Sequence, residues 1–304
     1  MIKVQRKQIL ENWQLYALVA IPFLYVIIFH YVPMLGIQIA FKNYNIVKGI
    51  WGSEWIGFDH FQRFFRSYEF ILVLKNTLLL NLYNLVVGFP APIALALCLN
   101  YIRNEHYKKA VQLVTYAPHF ISVVVLVGIV IQMFSPLTGI LSQLITWLTG
   151  EKINVLGDPA YFKSLYVWSG VWQHIGWGSI IYLAALSSVD PQLHEAAIVD
   201  GASKLQRVRH IDIPSIMPTI VMLLILEFGK IMTVGFQKVL LLQNPMNVDA
   251  SEVIDTYVYK IGFITGMPNY SYATAIGLFK SLIGLILIIT ANKIARKVND
   301  TSLW

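Results

Sequence analysis

Long apolar runs alternate with short polar intervals along this chain. Six of the runs, at about 13–40, 71–99, 110–134, 165–188, 215–236 and 272–291, reach the roughly 20 residues that a helix needs to cross a bilayer. The first is interrupted by His30, Tyr31 and Pro33, which predicts a kink or an exit from the bilayer at its outer end. The polar and aromatic interval 41–70, with Trp51 and Trp55, suits an interfacial segment carrying a short helix. Residues 139–148 are apolar at helical spacing, which predicts a helix lying along the membrane surface. Asn244 and Pro245 open an outer interval with a short helix expected from Ser251. The expected fold is an all-α polytopic membrane protein of six transmembrane helices. With no internal repeat and no long linker, residues 1–304 read as a single transmembrane domain.

Composition agrees with that reading. The chain is 57% hydrophobic and 13% charged, with a mean hydropathy of +0.61; the charged share is about half that of ordinary soluble domains. The +7 net charge fits basic residues gathered on one membrane side, and no basic, aromatic-interleaved run points to nucleic acid. Twelve Lys and Arg lie in 1–12, 101–109, 189–214 and 293–304, against eight in the longer intervals 42–70, 135–164 and 237–270. This bias places both termini and the interval 189–214 in the cytoplasm of a multi-pass cell-membrane protein. Cys98 is the lone cysteine, so a disulfide framework is excluded.

The interval between spans 4 and 5 is locally well specified. Asp190 is a good N-cap and Pro191 suits the first helical position. Gly201 offers a left-handed stop, and Ser203 with Gln206 forms a capping-box pattern that opens a second short helix, expected to end before Pro214. A capped helix–turn–helix between membrane spans is built to be gripped by another protein. His194 lies inside it and reads as a solvated or docking side chain.

Polar residues within the spans need protein or water around them. Thr77, Asn81 and Asn84 follow i, i+4, i+7 on one face of the second span, with Asn76 on its flank. Two readings stay open: hydrogen bonds between helices, or the lining of a translocation path. In the fourth span Trp168 and Trp172 share a face, as do Gln173 and Trp177. Here the alternatives are an interfacial aromatic belt, which suits Trp168, and a cavity where ring faces and amides receive a sugar. Glu227 and Lys230, three apart, can neutralise each other, which leaves Lys280 without an acid in its own span. Lys280 either snorkels or pairs with a companion chain, or else it supplies positive potential for an acidic sugar.

Catalytic and nucleotide signatures are missing from the sequence. There is no phosphate-binding GxxxxGK[ST], no HExxH, no GxSxG and no Cys/His cluster at metal spacing, so no catalytic or metal residue is assigned. An ion-coupled transporter would usually bury several acids, whereas only Glu227 is clearly intramembrane; a membrane enzyme would cluster them at one face.

Glu195-Ala196-Ala197, Asp200-Gly201-Ala202, Ile211 and Pro214 resemble the EAA loop of permease subunits of bacterial ABC importers, with Ile213 where the pattern usually has Leu. The resemblance extends through Tyr31–Met34, Phe41–Tyr44, Asn76-Thr77, Trp172-Gln173, Gly176-Trp177 and Leu303-Trp304 to the polysaccharide branch of carbohydrate permeases. It implies that the loop is a coupling helix docking into an ATPase subunit. It further implies a heterodimer with a second homologous permease and two ATPase subunits carrying ATP and Mg, with no cofactor on this chain. An extracellular solute-binding lipoprotein would deliver an oligosaccharide, and a pectin- or alginate-derived acidic one is the sharper expectation. Read from the residues themselves rather than from the resemblance, the path candidates are Thr77, Asn81, Asn84, Trp172, Gln173, Trp177 and Lys280.

Overall fold

The computed structural model describes residues 12–299. The basic leader with Lys3, Arg6 and Lys7, and the terminal Leu303-Trp304, lie outside the described residues. Contacts divide the chain into two compact units: residues through Arg66 with Val258–Phe279, and Ser67–Tyr257 with Lys280 onward.

In the first unit, helix Trp13–Val26 continues through a wide π turn at Ile27–Tyr31 and a 3-10 stretch at Leu35–Phe41. None of the residues of Trp13–Val26 is buried, as expected for a helix with a uniformly apolar surface. The change of helix type coincides with His30 and Pro33, where the sequence places a kink. Beyond it, Lys42–Asn43 pairs antiparallel with Glu54–Trp55, and helix Asp59–Arg66 supplies the short helix expected in this interval. That helix buries Phe64 against the rings of Tyr272 and Phe279, while His60 Nε2 lies 3.2 Å from the Lys42 carbonyl.

The second unit is organised around helix Pro159–Ser187, capped by Asp158, whose carboxylate accepts the Ala160 N–H. Its buried positions include Phe162, Leu165, Gln173, Gly176, Ser179, Tyr182 and Leu186, a helical spacing that lays one stripe inward. Close approach rather than bulk makes these crossings. A Cβ on Gly176 would stand 2.2 Å from the Thr115 carbonyl oxygen, and one on Gly178 would stand 3.0 Å from Pro92. Without a hydrophobic driving force between helices in lipid, such van der Waals contact is what holds them.

Among the described residues, four helices are long and apolar enough to cross a membrane: Trp13–Phe41, Tyr68–Asn100, Lys204–Gly229 and Tyr270–Ile294. The run at 110–134 differs from the single span expected. Helices Glu105–Phe120 and Val123–Met133 meet at 105°, and count as a fifth crossing only if taken together. Pro118 loosens the chain there, and Ser122, in an extended conformation, restarts it by accepting the Val125 N–H. Helix Pro159–Ser187 is long enough to span, at about 43 Å, but its Ser, Gly, Gln and His residues keep it out of the uniformly apolar group.

Two boundaries also move. The fifth run ends at Gly229 rather than at 236, and Phe236 opens a separate helix, Phe236–Leu242. Pro214 does not end the preceding helix. Lys204–Arg207 passes through a π turn at Val208–Asp212 into Ile213–Gly229, and that wider turn absorbs the missing proline donor. Between the long runs, helix Ile140–Thr149 forms where apolar spacing expects it. The helix expected from Ser251 begins at Ile254 instead, after a short turn at Val248–Ser251.

Candidate functional site

The interval 190–214 folds as its caps dictate. Asp190 accepts the Gln192 N–H, and Pro191 starts helix Pro191–Val199. Gly201 adopts φ +78°, and the Ala202 and Gly201 N–H groups donate to the Ala197 and Ile198 carbonyls, the double bond of a Schellman stop. Ser203 and Gln206 form the reciprocal capping box that opens the next helix. Glu195, Ala196, Asp200, Gly201 and Pro214 are exposed, while Ala197, Ala202 and Ile211 are half-buried. Leu193, Ile198, Val199 and Leu205 are exposed as well, Val199 to 87%. Pattern reading missed this apolar surface because it treated the interval as polar.

Beneath the loop lies Asp212, fully buried, which sequence reasoning left unassigned. It accepts a 2.7 Å hydrogen bond from the Tyr101 hydroxyl, and His194 Nε2 stands 3.2 Å from its other oxygen. That second contact is close enough for an ion pair when the ring is protonated, but is not aligned as a hydrogen bond. Arg207 lies over the Tyr101 ring at 5.4 Å. Burial, reinforced by the Asp212 hydrogen bond, pushes Tyr101 up to about 12, so its hydroxyl remains a donor throughout the neutral range. The tie joins His194 on the first loop helix to the interval after the second span. Its one sequence signal is an acid embedded among apolar residues at 211–216.

Five of the seven sequence-derived path residues border three cavities, and Thr77 and Asn81 border none of these. Asn84, Gln173 and Trp177 come together on a cavity of about 800 Å³, with His174, Glu227, Lys230 and Lys238. Trp172 faces another cavity, of about 530 Å³, which is nearly all apolar and shared with Trp168. Lys280 borders a third, with Gly229 and Thr233.

Packing overrides the expected face of the second span. Thr77 is fully buried; its hydroxyl donates to the Val73 carbonyl and accepts the Ile254 N–H, which corrects its expected place on a path. Asn76 donates to the Asp249 and Glu252 carbonyls at 2.8 and 3.1 Å, and Asn81 donates to the Thr77 carbonyl. Gln173 is 3% exposed and donates to the Ile121 carbonyl, a group left free where the 105° bend breaks the helix. His119 stacks on Trp177 at 4.4 Å and contacts His174 at 3.1 Å, covering one face of that indole.

Charge balance also differs from expectation. Glu227 and Lys230 pair at 2.9 Å, as their spacing predicts. Lys280 pairs with Asp255, an acid remote in sequence, so its positive charge is not surplus. Lys238 is 7% exposed and lies against helix Pro159–Ser187. Its Nζ donates to the Tyr166 carbonyl at 2.8 Å and sits 4.7 Å from the Tyr166 ring centre.

Residues 88–300 match the family described as binding-protein-dependent transport system inner membrane component. The chain is 45% identical to Protein LplB of Bacillus subtilis, over 97% of this chain and 92% of that protein. It is 44% identical to the polygalacturonan/rhamnogalacturonan transport system permease protein YteP of the same organism, over 99% and 95%. Among solved structures, it is similar to a chain of a bacterial ABC transporter involved in the import of the acidic polysaccharide alginate. The TM-score there is 0.89 at 39% identity, covering 97% of this chain and 99% of that one. A structure of bacterial alginate ABC transporter with alginate pentasaccharide-bound periplasmic protein matches at the same TM-score.

Proposed function

Since this chain belongs to the family of binding-protein-dependent transport system inner membrane components, we propose that it is the permease subunit of an ATP-driven oligosaccharide importer. Residues 1–304 act as one transmembrane unit of six crossings with both termini cytoplasmic. A second homologous permease completes the path. Two ATPase subunits carry ATP and Mg, and an extracellular solute-binding lipoprotein delivers the sugar. Acidic pectin- or alginate-type oligosaccharides are the substrate class, in line with the polygalacturonan/rhamnogalacturonan transport of YteP and the alginate import of the similar structure.

The observation that carries the coupling role is the loop 190–214. Its caps rigidly present Glu195 and Ala196, together with exposed Leu193, Ile198, Val199 and Leu205, on the side that basic residues mark as cytoplasmic. Exposed apolar side chains clustered on a rigid, charged-rimmed surface are what a docking partner covers. Glu195 supplies a carboxylate for a basic group of the ATPase.

Reconstitution of the permease pair with its ATPase and loaded binding protein tests this. Glu195→Ala is expected to leave insertion and assembly intact while substrate-stimulated ATP hydrolysis falls about tenfold, the equivalent of roughly 1.4 kcal/mol in the coupled step. Gly201→Leu should do the same, because a side chain at φ +78° costs about 1–2 kcal/mol and re-aims the loop. Unchanged stimulation in both variants would rule out docking through this loop.

A further inference from the structure

We propose that Lys238 forms the carboxylate-binding subsite of the 800 Å³ cavity, taking a uronate group while Asn84 and the open face of Trp177 meet hydroxyls and ring. The inference rests on the oligosaccharide-permease reading above and assigns its acidic-sugar recognition to one side chain.

The argument is one of unbalanced charge. An ammonium carries three donors, and burying it without a counter-ion is costly. Lys238 is 7% exposed, yet its Nζ has one hydrogen bond, to the Tyr166 carbonyl, and the face of the Tyr166 ring. No carboxylate among the described residues forms an ion pair with it. The other candidates are balanced: Lys230 on the same cavity pairs with Glu227, and Lys280, on a separate cavity, pairs with Asp255. Nothing in this packing makes a lysine necessary, since a methionine would fill the same volume at lower desolvation cost.

Geometry keeps the amine available. A Cβ on Gly170 would approach Lys238 Nζ to 3.2 Å, so the small residue leaves room for the head group beside helix Pro159–Ser187. Tyr166 is itself fixed, because its hydroxyl accepts the Gly235 N–H at 3.0 Å, and this positions the short helix Phe236–Leu242 that carries the lysine. Asn84 borders the same cavity, with no hydrogen bond from its carboxamide among the described residues. Amide, cation and aromatic ring line the same cavity, which is the donor set for an acidic pyranose.

The test uses the full complex in proteoliposomes, with saturating binding protein and trigalacturonate as probe. Lys238→Met is expected to lower trigalacturonate uptake at least tenfold with thermal stability kept, while Lys152→Gln, at an exposed position outside all three cavities, stays within threefold of wild type. A second measurement needs no variant. Carbodiimide-activated trigalacturonate should form an amide with Lys238 in the wild-type complex, seen by peptide mass mapping and suppressed by excess free sugar. Uptake by Lys238→Met within threefold of wild type overturns the assignment. So does amide formation at other lysines alone, and this outcome decides the matter if the variant does not assemble. Failure of the wild type to import trigalacturonate while importing a neutral oligosaccharide would instead overturn the acidic-substrate reading beneath it.

Discussion

Gly176→Ala is expected to remove most of the assembled protein from the membrane. A single methyl at this position meets the Thr115 carbonyl oxygen at 2.2 Å, its carbonyl carbon at 2.4 Å and the Tyr116 ring at 2.8 Å. Two of those neighbours are backbone atoms of helix Glu105–Tyr116, which cannot rotate away as a side-chain tip would. Helix Pro159–Ser187 must therefore shift as a body. It carries Gln173 and Tyr182 on the same buried stripe, so their contacts would move too. Overpacking a tight core costs typically 1–3 kcal/mol, and a backbone clash belongs at or above the upper end. For a chain of this size, that corresponds to a fall of roughly 6–12 °C in melting midpoint. The control is Gly128→Ala, where an added Cβ finds nothing within 4 Å and the midpoint should barely move. Thermal unfolding of the detergent-purified complex reads both variants. Equal midpoints for Gly176→Ala and wild type would mean that this crossing is not the constraint it is taken to be.

Asp212→Ala should loosen the loop 190–214 without touching its exposed surface. The substitution strands the Tyr101 hydroxyl, which donates to Asp212 at 2.7 Å, and releases His194 from that carboxylate. A hydrogen bond to a buried charged group contributes about 1.5–3 kcal/mol. Its loss should appear as faster amide exchange across 191–207 and a severalfold drop in substrate-stimulated ATP hydrolysis at unchanged basal rate. Asp212→Asn keeps one acceptor and should fall between. Tyr101→Phe, which removes the hydroxyl alone, should lose about 1 kcal/mol. The pH behaviour has a definite sign. Tyr101 titrates higher in the folded chain than its usual 10, so the stabilisation is complete below about pH 10 and declines as pH rises toward about 12. Exchange rates in 191–207 that do not respond to Asp212→Ala would contradict the tie.

Both predictions concern residues that hydrophobic patterning could not single out. Gly176 was noticed within a motif but not for its spacing, because the obstacle it accommodates, Thr115, lies 61 positions away and on another helix. Asp212 was one more charge in a charged interval until burial made it the anchor. Lys280 shows the reverse error. Its own span holds no acid, which suggested a surplus charge, yet Asp255 reaches it from a separate element. Thr77, Asn81 and Asn84 do stand in register on one helix, but only Asn84 reaches the large cavity; the chain around Ile254 covers Thr77.

What the amino-acid sequence determined by itself is everything governed by nearest neighbours and by solvent. The apolar runs, the caps at Asp190 and Ser203, the left-handed Gly201 and the Glu227–Lys230 pair all depend on interactions within a few residues or on the expense of placing polar groups in lipid. These act before any tertiary contact exists, and the motif Glu195–Pro214 carried the family with them. Only the tertiary structure decided the helix crossing at Gly176, the pairing of Lys280 and the meeting of Asn84, Trp177 and Lys238. Each of these rests on groups remote in sequence satisfying one another's hydrogen bonds, charge or volume. Periodicity along one helix can orient a side chain, but which neighbour receives it is set by how the helices pack.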